Sequence, residues 1–133
     1  MMQTPFVHLH VHTEYSLVNG IARIKPLVRE AAAAGMPAIA VTDQSNLFSM
    51  VKFYRAAMAQ GIKPIVGVDL WVSDPAVNKQ PFRLVLLSKS HAGYLNLTRL
   101  VSRTYLEGQH RGLPVLERGW LTGNCDGLIA LSG

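Results

Sequence analysis

Gly35-Met36-Pro37-Ala38-Ile39-Ala40-Val41 and Gly61-Ile62-Lys63-Pro64-Ile65-Val66-Gly67-Val68 carry the same punctuation twice. In each, a glycine able to take the left-handed backbone ends a helix and a proline discourages its continuation. A short apolar, β-branched run then follows as a strand buried on both faces. The interval between the copies is that of one strand-plus-helix unit. Parallel strands joined by right-handed helical crossovers give either an open doubly wound sheet or part of a β/α barrel. The pattern alone does not choose between them.

Upstream of the first copy, Leu27, Val28, Ala31 and Ala32 recur at helical spacing between Ile24 and Ala34, with Pro26 in the first turn,. Upstream of the second, Leu47, Val51, Tyr54 and Met58 mark another helix, closed by Gly61. Before both, Phe6, Val7, Leu9 and Val11 interleave with His8, His10 and His12, which predicts an opening strand over Phe6 to His12. Downstream, the strand from Lys63 runs to Val72. A further strand is expected over Arg83 to Leu87, and a helix over Tyr94 to Leu106 with Leu97, Val101 and Tyr105 on one face. The predicted order is β, α, β, α, β, loop, β, α, followed by a buried strand over Gly127-Leu128-Ile129-Ala130-Leu131. That last strand lacks a return helix and leaves a sheet face uncovered, so the 133 residues read as a piece of a longer protein,. Open strand edges are expected to lower the stability of such a piece and let it dimerise.

With 49% hydrophobic residues the chain belongs with globular domains, and its length allows one domain or part of one,. Neither a secretory leader nor a membrane-spanning run is expected from the sequence, and the single cysteine, Cys125, excludes an internal disulfide,. A cytoplasmic setting is expected. The net charge of +5 suits nucleic-acid contact, but the 13 Lys and Arg residues are scattered and mark no patch,. No glycine-rich phosphate loop and no Ser-His-Asp order are present, which removes P-loop enzymes and serine hydrolases.

His8, His10 and His12 stand at a spacing of two, so a strand turns all three to one side, where a His-x-His pair can hold a metal ion. The competing role is a hydrogen bond to backbone at a strand end. In parallel β/α folds reactive groups gather at the carboxyl ends of strands, which adds Asp43 and Asp69 to His10 and His12. Asp43 reads equally as the N-cap of the helix that follows.

The run Phe6-Val7-His8-Leu9-His10-Val11-His12-Thr13-Glu14-Tyr15-Ser16-Leu17-Val18-Asn19-Gly20 resembles the opening of the polymerase and histidinol phosphatase (PHP) domain, in particular the form that begins bacterial replicative DNA polymerase alpha subunits. The resemblance continues through Gly35-Met36-Pro37-Ala38, Thr42-Asp43-Gln44-Ser45-Asn46-Leu47, Val51-Lys52-Phe53-Tyr54, Gly61-Ile62-Lys63-Pro64-Ile65, Gly93-Tyr94-Leu95-Asn96-Leu97 and Gly127-Leu128-Ile129-Ala130-Leu131-Ser132-Gly133. It implies that residues 1–133 form the N-terminal part of a distorted, TIM-like α/β barrel with mostly parallel strands. The rest of the barrel and the polymerase domains would lie outside this chain. It also implies a place in DNA replication: support of the other domains of the alpha subunit, docking of the proofreading exonuclease subunit, and association with the sliding clamp in the holoenzyme. DNA would be reached through the full-length protein, with Mg in the polymerase domain.

Active members of the family hold several divalent metals and hydrolyse phosphoesters with metal-bound hydroxide. Carried over position by position, His10 and His12 match the first ligand pair. Asn19 stands where the family has a metal-binding aspartate, Gln44 where it has a histidine, Asp69 where it has a glutamate, and Arg83 where metal-binding members often have a histidine. The resemblance with these departures implies a catalytically degenerate domain, without catalytic residues in this segment and with no metal bound. In it His10, His12, Asp43 and Asp69 are vestigial, and Asn19, Gln44 and Arg83 mark lost ligands. Arg83 is expected to fill the vacated space and pair with Asp69 or Asp43. The alternative is an active phosphoesterase with Zn or Mn at His10, His12 and Asp69.

Overall fold

The computed structural model describes residues 6–16, 23–74, 76, 78–110 and 113–132. Helix α1 spans Ile24–Ala33 and α2 spans Met50–Ala59. Gly35 and Gly61 close them with φ of +77° and +71°, and the amides of Met36 and Ile62 reach back to the carbonyls of Ala31 and Ala57 at 3.0 Å,. A Cβ at either glycine would meet nothing. The demand for glycine is therefore conformational, and it marks where each chain turn releases the next strand.

Those strands are β1 (Ala38–Gln44) and β2 (Lys63–Asp74), parallel from Ala38 opposite Lys63 to Gln44 opposite Asp69. β2 runs past the expected Val72, and Asp69 lies within it rather than at its carboxyl end. It is level, however, with the carboxyl end of β1. β3 (Asn78–Ser88) returns along β2 as an antiparallel partner, which sets Trp71 opposite Arg83 and Asp69 opposite Val85. The few residues between β2 and β3 cannot span a parallel crossover, which needs a dozen or more. Helix α3 (His91–Glu107) follows, with Ser90 Oγ accepting the Gly93 amide at 3.1 Å as its N-cap,.

Three elements complete the sheet. β4 (Gln109–His110) pairs antiparallel with β5 (Leu113–Glu117), β5 runs parallel to Trp71–Ser73 of β2, and β6 (Leu128–Ser132) lies antiparallel to β3. The path is β4-β5-β2-β3-β6, with β1 on β2. Thus β1, β2, β5 and β6 point one way while β3 and β4 point the other. β4 and β5 were not expected from the sequence, because neither carries a period-two pattern long enough to be read. Among the described residues no helix is long and apolar enough to cross a membrane.

The sheet's faces divide the core. Val68, Leu70, Val72 and Leu86 pack on Leu97, Leu100 and Val101 of α3, together with Leu116 and Trp120. Ile39 and Val41 meet Ile24, Val28 and Ala31 of α1 and Phe53 and Ala57 of α2. Each fully buried aliphatic side chain contributes about 1.5–3 kcal/mol. On the opposite face Ala40, Val85 and Leu87 form a smaller cluster. The helix expected from Leu47, Val51, Tyr54 and Met58 exists, but turned over: Val51, Tyr54 and Met58 are exposed while Phe53 and Ala57 are buried. Phe53 and Ala57 are themselves an i, i+4 apolar pair, and their side is the one that faces α1 and β1.

The opening segment corrects the expectation of a regular strand. Residues 6–12 lie beside β1 without forming a regular strand, with the Ala40 amide donating to His8 O at 2.9 Å and the Thr42 amide to Val11 O at 2.8 Å. Three residues of the segment therefore match two of β1. The Val11 amide donates to Thr42 Oγ1 at 3.0 Å, a hydroxyl taking the place of a backbone carbonyl where the extra residue breaks the ladder.

Candidate metal centre

The slip in the opening segment decides which histidines meet. His10 Nε2 and His12 Nε2 each lie 2.8 Å from Asp69 Oδ2, with ring centroids 5.2 Å apart and edge to face. His8 does not join them, contrary to the expectation of three on one side; its ring packs edge-on to Phe6 at 4.7 Å. Among the described residues His10, His12 and Asp69 bring their donor atoms within 4.8 Å of one another. The side chain of Asp69 is 0% exposed, that of His12 14% and that of His10 45%, so the cluster opens to solvent on the His10 side.

A fourth group completes it. The Arg83 Nη2 donates to Asp69 Oδ2, the same oxygen that faces both imidazoles, and Nε lies 3.4 Å from Oδ1. Nη2 is also 3.5 Å from His12 Nε2. Arg83 reaches this position because it faces Trp71 across the hairpin, two residues along from Asp69 on the same sheet face,. The guanidinium carbon sits 5.6 Å from the indole centroid, a cation–π contact that helps hold it there. Trp71 escaped the sequence reading; its position two residues after Asp69 was the available signal.

Asp43 is placed elsewhere. Its Oδ1 accepts from the Thr13 amide at 2.5 Å, and Thr13 Oγ1 lies 2.9 Å from Oδ1 and 2.7 Å from Oδ2. Ser16 Oγ donates to Oδ1 at 3.1 Å and accepts the Gln44 amide at 2.9 Å. With both oxygens so engaged, Asp43 neither joins the histidines nor caps α2, which begins at Met50. Thr13 and Ser16 were missed in the sequence, where a Thr-x-x-Ser after the histidine run is the only hint. Gln44 Oε1 is buried and has no partner among the described residues. Asn19 lies outside them.

Tested against a cluster of divalent ions, the donor set does not fit. Two imidazoles and one carboxylate would serve a single zinc-class ion. The carboxylate oxygen that would bind it, however, already faces a fixed cation. A guanidinium about 5 Å from a divalent ion costs roughly 7 kcal/mol at an effective dielectric of 20. Asp43 adds no ligand, and Gln44 offers an amide in place of an imidazole. What the geometry does instead is neutralise a fully buried carboxylate with one arginine and two imidazole donors.

Comparison with known proteins agrees with this architecture. Over 131 residues the chain is 52% identical to the DNA polymerase III subunit alpha of Pseudomonas aeruginosa, covering 98% of the chain and 11% of that protein. It is 46% identical to the DNA polymerase III subunit alpha of Escherichia coli K12 over 133 residues, 100% of the chain and 12% of that protein. The chain thus spans about a ninth of the length of these curated relatives. Among solved structures, an amidohydrolase from Chromobacterium violaceum, with bound sulfate and no metal, superposes with a TM-score of 0.59 at 23% identity, over 74% of this chain and 32% of that one. A structure from Bifidobacterium adolescentis, put forward as a metal-dependent phosphoesterase, gives a TM-score of 0.56 at 16% identity, over 75% and 32%. These two likenesses bear on the fold alone. The PHP domain family matches residues 8–133, and the chain belongs to it.

Proposed function

We propose that this chain is the N-terminal part of the PHP domain of a replicative DNA polymerase alpha subunit, and that the domain is a scaffold and docking element rather than a hydrolase. The full-length protein would perform DNA-directed DNA synthesis in the cytoplasm, using Mg at polymerase residues outside residues 1–133. Its partners would be its own other domains, the proofreading exonuclease subunit, the sliding clamp and DNA. The identity of 52% and 46% to alpha subunits across almost the whole chain supports the family role. The observation that carries the loss of hydrolysis is the Arg83 guanidinium on Asp69 Oδ2, where a metal-dependent hydrolase needs an ion,.

Primer extension and phosphoesterase assays on the full-length protein test this reading. Extension is expected to survive His10→Ala and His12→Ala, and phosphoesterase turnover to be absent with and without them. The second reading, a phosphoesterase using Zn or Mn at His10, His12 and Asp69, is favoured by the convergence of those three donors. Turnover that needs added Zn or Mn and disappears in His10→Ala would establish it instead.

A further inference from the structure

We infer that the open pocket between the start of α1 and Lys52 of α2 is a contact for the phosphate backbone of duplex DNA, made by Arg23, Lys25, Arg29 and Lys52. This rests on the proposed polymerase role and adds a place on this domain where the DNA is touched.

Cations that look scattered along the sequence are gathered here by the fold. A pocket of about 360 Å³ is lined by Arg23, Lys25, Pro26 and Arg29 at the start of α1, by Lys52 of α2 and by Glu14 of the opening segment. Four cations therefore surround one carboxylate, and all five of these charged residues are exposed. Lys52 Nζ meets that carboxylate, 3.5 Å from Glu14 Oε1. Among the described residues Arg23, Lys25 and Arg29 have no acidic partner, whereas Arg83, Arg103 and Arg118 pair with Asp69, Glu107 and Asp74.

Folding alone does not favour such a grouping. Lys25 and Arg29 are four residues apart on α1, so their side chains are neighbours on its surface, and like charges at that spacing oppose the helix. A bound polyanion removes this repulsion. A single phosphate held by exposed side chains gains little, because water and salt screen each pair. A DNA strand differs, since it offers successive phosphates to several cations at once and releases counterions as they engage. Long, exposed side chains follow a backbone without reading its bases. The proposed polymerase role makes DNA the polyanion at hand.

The test is binding of the full-length protein to a fluorescein-labelled primed duplex, followed by anisotropy at several KCl concentrations. Protein carrying Arg23→Gln, Lys25→Gln and Arg29→Gln together is expected to bind at least ~10-fold more weakly at low salt, with the slope of log affinity against log salt shallower by about 2–3. Arg23→Lys with Arg29→Lys keeps the charge and should keep the slope. Where circular dichroism shows the triple variant unfolded, Lys25→Gln alone decides, with a slope shallower by about 0.9. An unchanged slope in folded variants overturns the inference, and so does weaker binding at an unchanged slope, which marks indirect damage. A DNA slope that holds while binding of inorganic pyrophosphate, or assembly with the other polymerase subunits, is lost assigns the pocket to a different anion and overturns it too. Unmodified protein that binds the duplex without extending its primer fails the polymerase reading alone, and the slope comparison still decides this one.

Discussion

Asp43 and Asp69 are one strand apart and 1% and 0% exposed, yet their surroundings have little in common. Asp43 is held by neutral donors, the amide and hydroxyl of Thr13 and the hydroxyl of Ser16. Asp69 faces a guanidinium and two imidazoles. The first carboxylate fastens the opening segment to β1 through both of its oxygens. The second is a fully buried carboxylate answered by a guanidinium and two imidazoles. Counting carboxylates at strand ends therefore does not count ligands; what matters is whether the donors around each one are neutral or charged.

Asp43→Ala should have the largest effect. It leaves the Thr13 amide and two hydroxyls without this partner in a buried place, a cost of at least about 3 kcal/mol at about 1–3 kcal/mol for each of the three groups. Chemical denaturation measures it, and a loss under that of any Asp69 variant would reverse the contrast. Asp69→Asn should follow at roughly 1–3 kcal/mol, because it keeps the shape and an acceptor while Arg83, with a side chain 30% exposed, can recover hydration. Exchanging both partners, Asp69→Leu with Arg83→Met, should cost less than Asp69→Leu alone, which leaves the guanidinium without its carboxylate. A large loss in the double variant would show that the pair stabilises the fold outright.

The smallest effect concerns a third carboxylate. The Arg118 guanidinium, 2.6 Å from Asp74, holds its carboxyl below the ordinary value of 3.8 through a hydrogen bond. A depressed carboxyl stabilises the fold above 3.8 and loses that contribution as pH falls through the folded value,. Arg118→Gln should therefore lower the melting temperature slightly at neutral pH, converge with the unmodified protein below the folded value, and so flatten the acid side of a melting-versus-pH curve,. Equal acid slopes for the two proteins would contradict this. The exposed arginine keeps the effect modest,.

Much of this contrast was within reach of the sequence, and the rest was hidden for identifiable reasons. Gly35 with Pro37 and Gly61 with Pro64 placed α1, α2, β1 and β2, because helix ends and proline act locally. The convergence of His10, His12 and Asp69 was legible from strand ends and from the family resemblance, whereas the sequence does not choose between Asp69 and Asp43 as the partner of Arg83. Parity failed for His8, where the hydroxyl of Thr42 admits one extra residue, and no propensity scale records that. The exposure of Val51, Tyr54 and Met58 was also hidden, since a helix with two apolar faces does not state which one its neighbours choose. The role of Asp43 depended on Thr13 and Ser16, which lie 30 and 27 residues earlier; only tertiary structure brings them to it.

The hairpin of β2 and β3 has a consequence for the order in which the centre assembles. Arg83 and Asp69 are separated by 14 residues, whereas His12 and His10 lie 57 and 59 residues from Asp69. Closing the longer loops carries about 1 kcal/mol more chain entropy. During folding the guanidinium is thus expected to reach the carboxylate before either imidazole does, so that the histidines arrive at an oxygen already claimed.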